Sequence, residues 1–246
     1  MNGIINFFSL LFGVLFLAWF CQPNKANDDN LMTISGTVKG LRKGTLFLQK
    51  VKDSLIINVD SVLVAGSPDF ELYHQIEEPE IYYLYLEKKD SDSLNDVITF
   101  FGEPGNITIN TQLRTFESSA IVKGSENQLL LQKFISQQRR FRDNHLDLLQ
   151  DYFNATKNKN TMLADSLQRD IDNLVKRRYL YAINYAVQNS DKHIAPYIAL
   201  TQVLEAQTVW LDTIANQLSD EVSHSKYGRE LIEYIERRKL DELETK

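Results

Sequence analysis

Val122-Lys123-Gly124-Ser125-Glu126-Asn127-Gln128 is the stretch at which this chain changes its periodicity. Before Gly124, apolar residues recur at every second position. After it, they recur at every third and fourth. The first pattern places one set of side chains on a sheet face, and the second makes the apolar stripe of a helix. Ser125 with Gln128 three residues on fits a capping box: Ser caps a free helix amide and Gln reaches back. The chain is therefore read as α+β. An antiparallel β-sandwich covers residues 31–123, and an all-helical domain of about five helices covers 124–246.

Upstream of the switch, short strands are spaced by turn residues. Residues 32–38 (MTISGTV) alternate, 39–44 turn on two glycines, and 45–51 (TLFLQKV) return. Lys52-Asp53-Ser54 marks the next turn, and the β-branched run 56–64 the next strand. Gly66-Ser67-Pro68-Asp69 turns into 70–73. Pro79 precedes the aromatic strand 81–86 (IYYLYL), and 90–93 is polar loop. Strands 97–101 and 107–109 flank Gly102-Glu103-Pro104-Gly105-Asn106. Pro then Gly suits the centre of a type II turn, so a hairpin is expected there. Residues 120–123 form a last strand. Many short strands at this spacing predict a sandwich.

Downstream, one apolar stripe runs through Leu130, Phe134, Ile135, Phe141, Leu148, Leu149, Tyr152 and Phe153 until Asn158-Lys159-Asn160 breaks it. A second runs from Leu163 to Val187 and stops at Asn189-Ser190-Asp191. Pro196 suits the first turn of a third helix, where its missing N–H costs nothing. Trp210, Leu211, Ile214 and Leu218 suggest a fourth. Tyr227, Leu231, Ile232, Tyr234 and Ile235 mark a fifth.

The N-terminus sets the compartment. Residues 4–20 carry no charge, Cys21 follows as the chain's one cysteine, and 22–30 is a polar, Asn-rich tether. This reads as an export signal (1–21) with lipid attachment at Cys21. Two alternatives stand beside it: an uncleaved membrane anchor, and a cleaved soluble form. Bulky Trp19 and Phe20 occupy positions where a lipobox has small residues, and no Lys or Arg precedes the apolar run. The run is also just short of the ~20 apolar residues a bilayer-spanning helix needs. In all three forms the chain is exported.

Composition excludes some classes. With 33 acidic against 27 basic residues the net charge is −6, a poor basis for nucleic-acid binding, which needs a basic face. A lone, acylated Cys21 leaves no Cys-x-x-Cys redox pair, no disulfide and no Cys-built zinc site. His74, His145, His193 and His224 are scattered, and no pair has i, i+4 spacing for a metal. No catalytic residue and no cofactor is therefore expected. No Gly-x-Ser-x-Gly elbow and no phosphate-binding glycine loop occurs. Acidic pairs Glu77-Glu78 and Asp241-Glu242 read as solvated surface. Basic clusters Arg139-Arg140-Arg142, Lys176-Arg177-Arg178 and Arg237-Arg238-Lys239 read as mixed-charge helix faces, with a partner or anionic headgroups as the functional alternative. In the aromatic strand, alternation sends Tyr83 and Tyr85 to one face and Tyr82 to the other. That favours sheet packing over a ligand groove.

The strand half resembles the small β-domain of unknown function found in Bacteroidetes envelope lipoproteins, where it precedes a thioredoxin-like module. The residues carrying the likeness are Ile34-Ser35-Gly36-Thr37-Val38-Lys39-Gly40-Leu41, Val59-Asp60-Ser61-Val62, Phe100-Phe101-Gly102-Glu103-Pro104-Gly105-Asn106 and Val122-Lys123-Gly124-Ser125. Ala195-Pro196-Tyr197-Ile198 and Leu218-Ser219-Asp220-Glu221 resemble the helical spacer of the same family. No residue of the thioredoxin-like active site is present to carry over. The resemblance implies a membrane-anchored lipoprotein of the bacterial envelope. Its expected role is a non-enzymatic interaction or accessory module with a protein partner. Alternatives are a small-molecule or peptide binder using a cleft between the two halves, and a partner in trans of a separate thiol–disulfide oxidoreductase.

Overall fold

The computed structural model describes residues 30–88 and 96–244. The apolar leader 1–21 with Cys21, the tether up to Asp29 and the polar loop expected at 90–93 lie outside the described residues. No helix among the described residues is long and apolar enough to cross a membrane.

Eight strands come first: β1 Leu31–Lys39, β2 Lys43–Lys52, β3 Leu55–Ala65, β4 Asp69–Gln75, β5 Glu80–Glu87, β6 Val97–Gly102, β7 Gly105–Gln112 and β8 Ile121–Lys123. They form two four-stranded sheets, ordered β4-β1-β7-β8 and β3-β2-β5-β6. The inward positions of both sheets, among them Ile34, Leu46, Leu72, Leu84, Phe100 and Ile107, are wholly buried in one core. Alternation is the reason: period-two side chains from facing sheets interdigitate. Tyr82 joins this core, whereas Tyr83 and Tyr85 lie half-buried on the opposite face.

Two expectations are corrected. The turn at 102–106 is not a hairpin, since β6 pairs with β5 in one sheet and β7 with β1 and β8 in the other. The Pro-Gly bend is a bridge between sheets, because β5 holds β6 while both flanks of β7 are taken in the opposite sheet. The sandwich is also not wholly antiparallel: β1 and β7 run parallel, with Met32 opposite Gly105 and Ile34 opposite Ile107. The crossover returns the chain beside the start of β1, so the two strands begin at the same end.

Helices follow: α1 Glu126–Lys157, α2 Thr161–Gln188, α3 Ile194–Gln202, α4 Thr208–Ala215, α5 Asp220–Ser223 and α6 Lys226–Glu244. The single-turn α5, capped by the Ser219 hydroxyl on Val222 N–H, adds to the five expected. At the switch, Gly124 has φ +107°, and a Cβ there would lie 2.0 Å from the Asn106 carbonyl oxygen. Ser125 Oγ accepts from Gln128 N–H at 3.0 Å, as the capping pattern requires. The other half of the box differs: Gln128 Oε1 accepts from Phe101 N–H on β6 at 2.8 Å. An outward N–H on a covered strand edge needs a partner more than the helix start does.

α1 and α2 make a long antiparallel hairpin, α1 alone spanning about 48 Å at 1.5 Å per residue over its 32 residues. Its base is packed. Phe134 lies 5.3 Å from the Tyr185 ring and 5.7 Å from that of Tyr181. These rings share a core with α3, α4 and α6 residues and with Ile81 and Phe101 of the sheet. The distal buried residues, Ala155, Ile171 and Leu174, stand outside that core. The far half of the hairpin is an arm.

Candidate functional site

The concavity richest in chemistry is a cleft of about 690 Å³ where the end of the sandwich meets the start of α6. The β2–β3 hairpin supplies Lys50, Lys52 and Asp53, the β4–β5 connection supplies His74, Glu77, Glu78 and Glu80, and α6 supplies Lys226, Arg229 and Glu230. Three separate segments therefore bring charge to one place.

Glu80 is the hub. Its side chain is 6% exposed, and it receives Lys50 Nζ on one oxygen at 2.7 Å and Lys226 Nζ on the other at 2.5 Å. Lys226 Nζ also donates to the Val51 carbonyl at 3.2 Å. Glu78 caps α6 from outside the helix: its Oε2 accepts Lys226 N–H at 2.5 Å, and its Oε1 pairs with Arg229 at 3.1 Å. A carboxylate on the first free amides of a helix is favoured by both hydrogen bonding and the helix dipole. The Tyr227 hydroxyl accepts Ile81 N–H at 3.0 Å beside this pair. Two titratable groups in the cleft are shifted from their ordinary values. Burial pushes the Glu230 carboxyl up, against the pull of Lys226. Burial, then Lys50, pushes His74 down, and its Nε2 is buried with no hydrogen-bond partner among the described residues. The His74 ring meets Tyr82 edge-on at 5.7 Å.

What this arrangement does chemically is join. Both Glu80 oxygens are engaged, and both cations that reach it come from different halves of the chain. A ligand entering here would have to displace Lys50 or Lys226 from a carboxylate already satisfied, at the cost of leaving a buried charge unpaired. Among the described residues, no three His, Cys, Asp or Glu side chains gather to hold a metal.

The sequence-marked residues spread out. His74 lines the cleft, His145 lies on α1, His193 is buried just before α3, and His224 is exposed after α5. Cys21 lies outside the described residues. Glu78 is a correction: it is a capping and ion-pairing group at the joint rather than solvated surface. Asp241 and Glu242 are exposed, as expected, with Glu242 accepting the Thr208 hydroxyl at 2.5 Å. Of the basic clusters, Lys176-Arg177-Arg178 is exposed. Arg238 and Lys239 tie α6 inward, Arg238 to the Leu204 carbonyl at 2.9 Å and Lys239 to Asp212 at 2.6 Å. The joint itself carries no local signature, because Glu80 and Lys226 are 146 positions apart. Pro79-Glu80 before an aromatic strand is the only trace, an acidic residue at a strand start where the neighbouring strand offers Lys50.

The family described as "Domain of unknown function (DUF4369)" matches residues 32–131, which covers the eight strands and the first turn of α1. No curated protein and no solved structure matches the chain.

Proposed function

We propose that the chain is a non-enzymatic module of the bacterial cell envelope, anchored through acylated Cys21, that engages a protein partner. The observation that carries this reading is the α1–α2 arm. It stands clear of the helical core and leaves Leu146 57%, Phe153 66% and Met162 84% exposed. An arm of this length contributes little to the core, and large apolar side chains held in water are costly unless another surface covers them. The Cys21 anchor is supported by the apolar run, the lone cysteine and the polar tether, and the strand half by its match to a family of unknown function. The likeness to lipoproteins with a thioredoxin-like module makes an envelope thiol–disulfide oxidoreductase one candidate partner.

A photo-crosslinking residue placed at Phe153 in living cells tests the reading. A discrete protein adduct, absent when Leu146→Glu and Met162→Glu are added, is expected. Adducts no more discrete than those from the exposed Arg114 at the far end of the sandwich would remove the arm as an interaction surface.

A second reading, a small-molecule or peptide binder, is supported by the 690 Å³ cleft and the unpartnered His74 Nε2 within it. The self-paired walls count against it, and unchanged thermal stability across a ligand panel would set it aside.

A further inference from the structure

The described chain begins at the end of the sandwich that also carries the β2–β3 hairpin tip. Leu31 pairs with Gln75, Met32 with Gly105, and Asn30 accepts from Ile76 N–H at 2.8 Å. Glu80 and Gly102 pair at this same end, and Lys50 lies opposite Tyr82. Past that pair the hairpin continues to Lys52 and turns through Asp53 and Ser54, at φ +50° and +65°, before Leu55 pairs back to Lys52. Gln75 and the turn residues border one cleft.

The tip carries an apolar pair with no cover. Leu55 is 67% exposed and Ile56 is 65% exposed. Consecutive strand residues point to opposite faces. Exposure of both means that the tip projects from the sandwich with neither face packed. Its charges, Lys52 and Asp53, cancel.

We propose that this tip is a membrane-docking element: Leu55 and Ile56 enter the interface of the bilayer that holds the anchor. The inference rests on the Cys21 acylation reading above. Only nine residues, 22–30, separate Cys21 from β1, a reach of at most about 30 Å when fully extended. The tether therefore holds the anchored end close to lipid, and the hairpin tip stands at that end. A lipid on Cys21 keeps the chain at the surface, and an apolar contact at the tip adds buried apolar area there, which strengthens the binding. Because the tip is neutral and the whole chain carries −6, the contact is apolar and insensitive to salt, unlike a polybasic one.

The test uses the full lipidated chain. Leu55→Cys is labelled with an environment-sensitive NBD dye, the acylated Cys21 thiol being blocked, and the protein is placed in phosphatidylethanolamine–phosphatidylglycerol vesicles containing nitroxide lipid. Arg114→Cys, at the opposite end of the sandwich, is the reference. Expected are a blue shift and severalfold stronger quenching at position 55 than at 114, unchanged by high salt and abolished by Ile56→Asp. Acylation is scored separately with an alkyne fatty acid on wild type and Cys21→Ser. Acylated protein with equal, weak quenching at both positions overturns the docking and leaves the anchor standing. A blue shift seen only with native envelopes, never with pure lipid, assigns the tip to a protein and overturns it as well. Equal labelling of wild type and Cys21→Ser overturns the anchor and the docking together.

Discussion

Glu80 is the residue on which the joint turns, and its removal is predictable. Glu80→Gln leaves Lys50 and Lys226 facing a neutral amide in a site where the carboxylate is nearly inaccessible. Losing one member of a buried pair costs about 3–5 kcal/mol. Both lysines retain some contact with water, which puts the expected loss below that range, at about 2–3 kcal/mol. Chemical denaturation of the two proteins measures it. His74 gives a pH test. Burial and Lys50 hold its imidazole below the ordinary value of 6.5, while Glu80, Asp60 and Glu77 pull the other way and Tyr82 covers one side. The unfolded chain takes up the proton first as pH falls. The His74 contribution is therefore complete above about pH 6.5 and is lost as pH drops through the folded value. Buried His193 is shifted down too and acts with the same sign, so the wild-type slope alone does not isolate either. Between about pH 7 and 5 the stability of His74→Gln is expected to fall less steeply than that of wild type. Equal slopes would show that His74 is not held neutral by the fold.

Among the elements, the strand-to-helix junction is the least tolerant. Gly124→Ala would put a methyl group 2.0 Å from a backbone oxygen in a conformation that favours glycine. Strain of that kind costs about 1–3 kcal/mol before any clash is counted, so a clear drop in melting temperature is expected. Ser125→Ala, which removes the Gln128 cap, should cost about 1 kcal/mol. The arm lies at the other extreme. Its distal apolar residues are outside the helical core, so amides near the 158–160 turn are expected to exchange with solvent faster than those of α3, whose Ile194, Ala195, Ile198 and Ala199 are wholly buried. Equal protection along α1 would contradict the arm. The elements were legible in sequence where the signal is local. Alternation placed the strands, Ser125 marked the start of α1, and Asn158-Lys159-Asn160 broke the hairpin, with Lys159 at φ +57°. The α5 turn was missed because four residues hold no periodicity, although Ser219 with Asp220 and Glu221 is a helix-start signal. The partner strands of the 102–106 turn were missed for a different reason. Turn residues report a bend, whereas pairing depends on edges set far away in sequence. The cleft was illegible on the same ground.

At the scale of the whole molecule, the two structural types are expected to unfold together. No flexible linker separates them: β8 ends at Lys123, and Ser125 caps the next helix. The contacts across the joint are of several kinds. Ile81 and Phe101 project from the outer face of a sheet into the helical core, and Phe101 meets the Tyr197 and Tyr227 rings edge-on at 5.9 and 6.3 Å. Gln128 and Gln132 of α1 serve Phe101 N–H and the Val122 carbonyl, one on each sheet. Glu103 in the sheet-to-sheet bridge accepts from Glu126 N–H at 2.5 Å and from the Asn127 amide at 2.7 Å. Asn127 in turn accepts from Ile194 N–H at 3.0 Å, which links the bridge to α3. The Glu78 and Glu80 pairs close the far side. Separating the halves would expose two buried apolar anchors, Ile81 and Phe101, and leave several buried polar groups unmatched, so neither half gains by unfolding alone. Phe134, 3% exposed, is the probe residue. It packs on Tyr181 and Tyr185 rather than directly in the sandwich core, so Phe134→Ala strikes the helices first, with an expected cost of about 3–5 kcal/mol. In a coupled molecule the far-ultraviolet helix signal and a β-side reporter, such as exchange protection of Ile107 and Ile109 amides, lose the same stability. A helical transition that moves while the sandwich amides keep wild-type protection would mean that the joint is a contact without coupling.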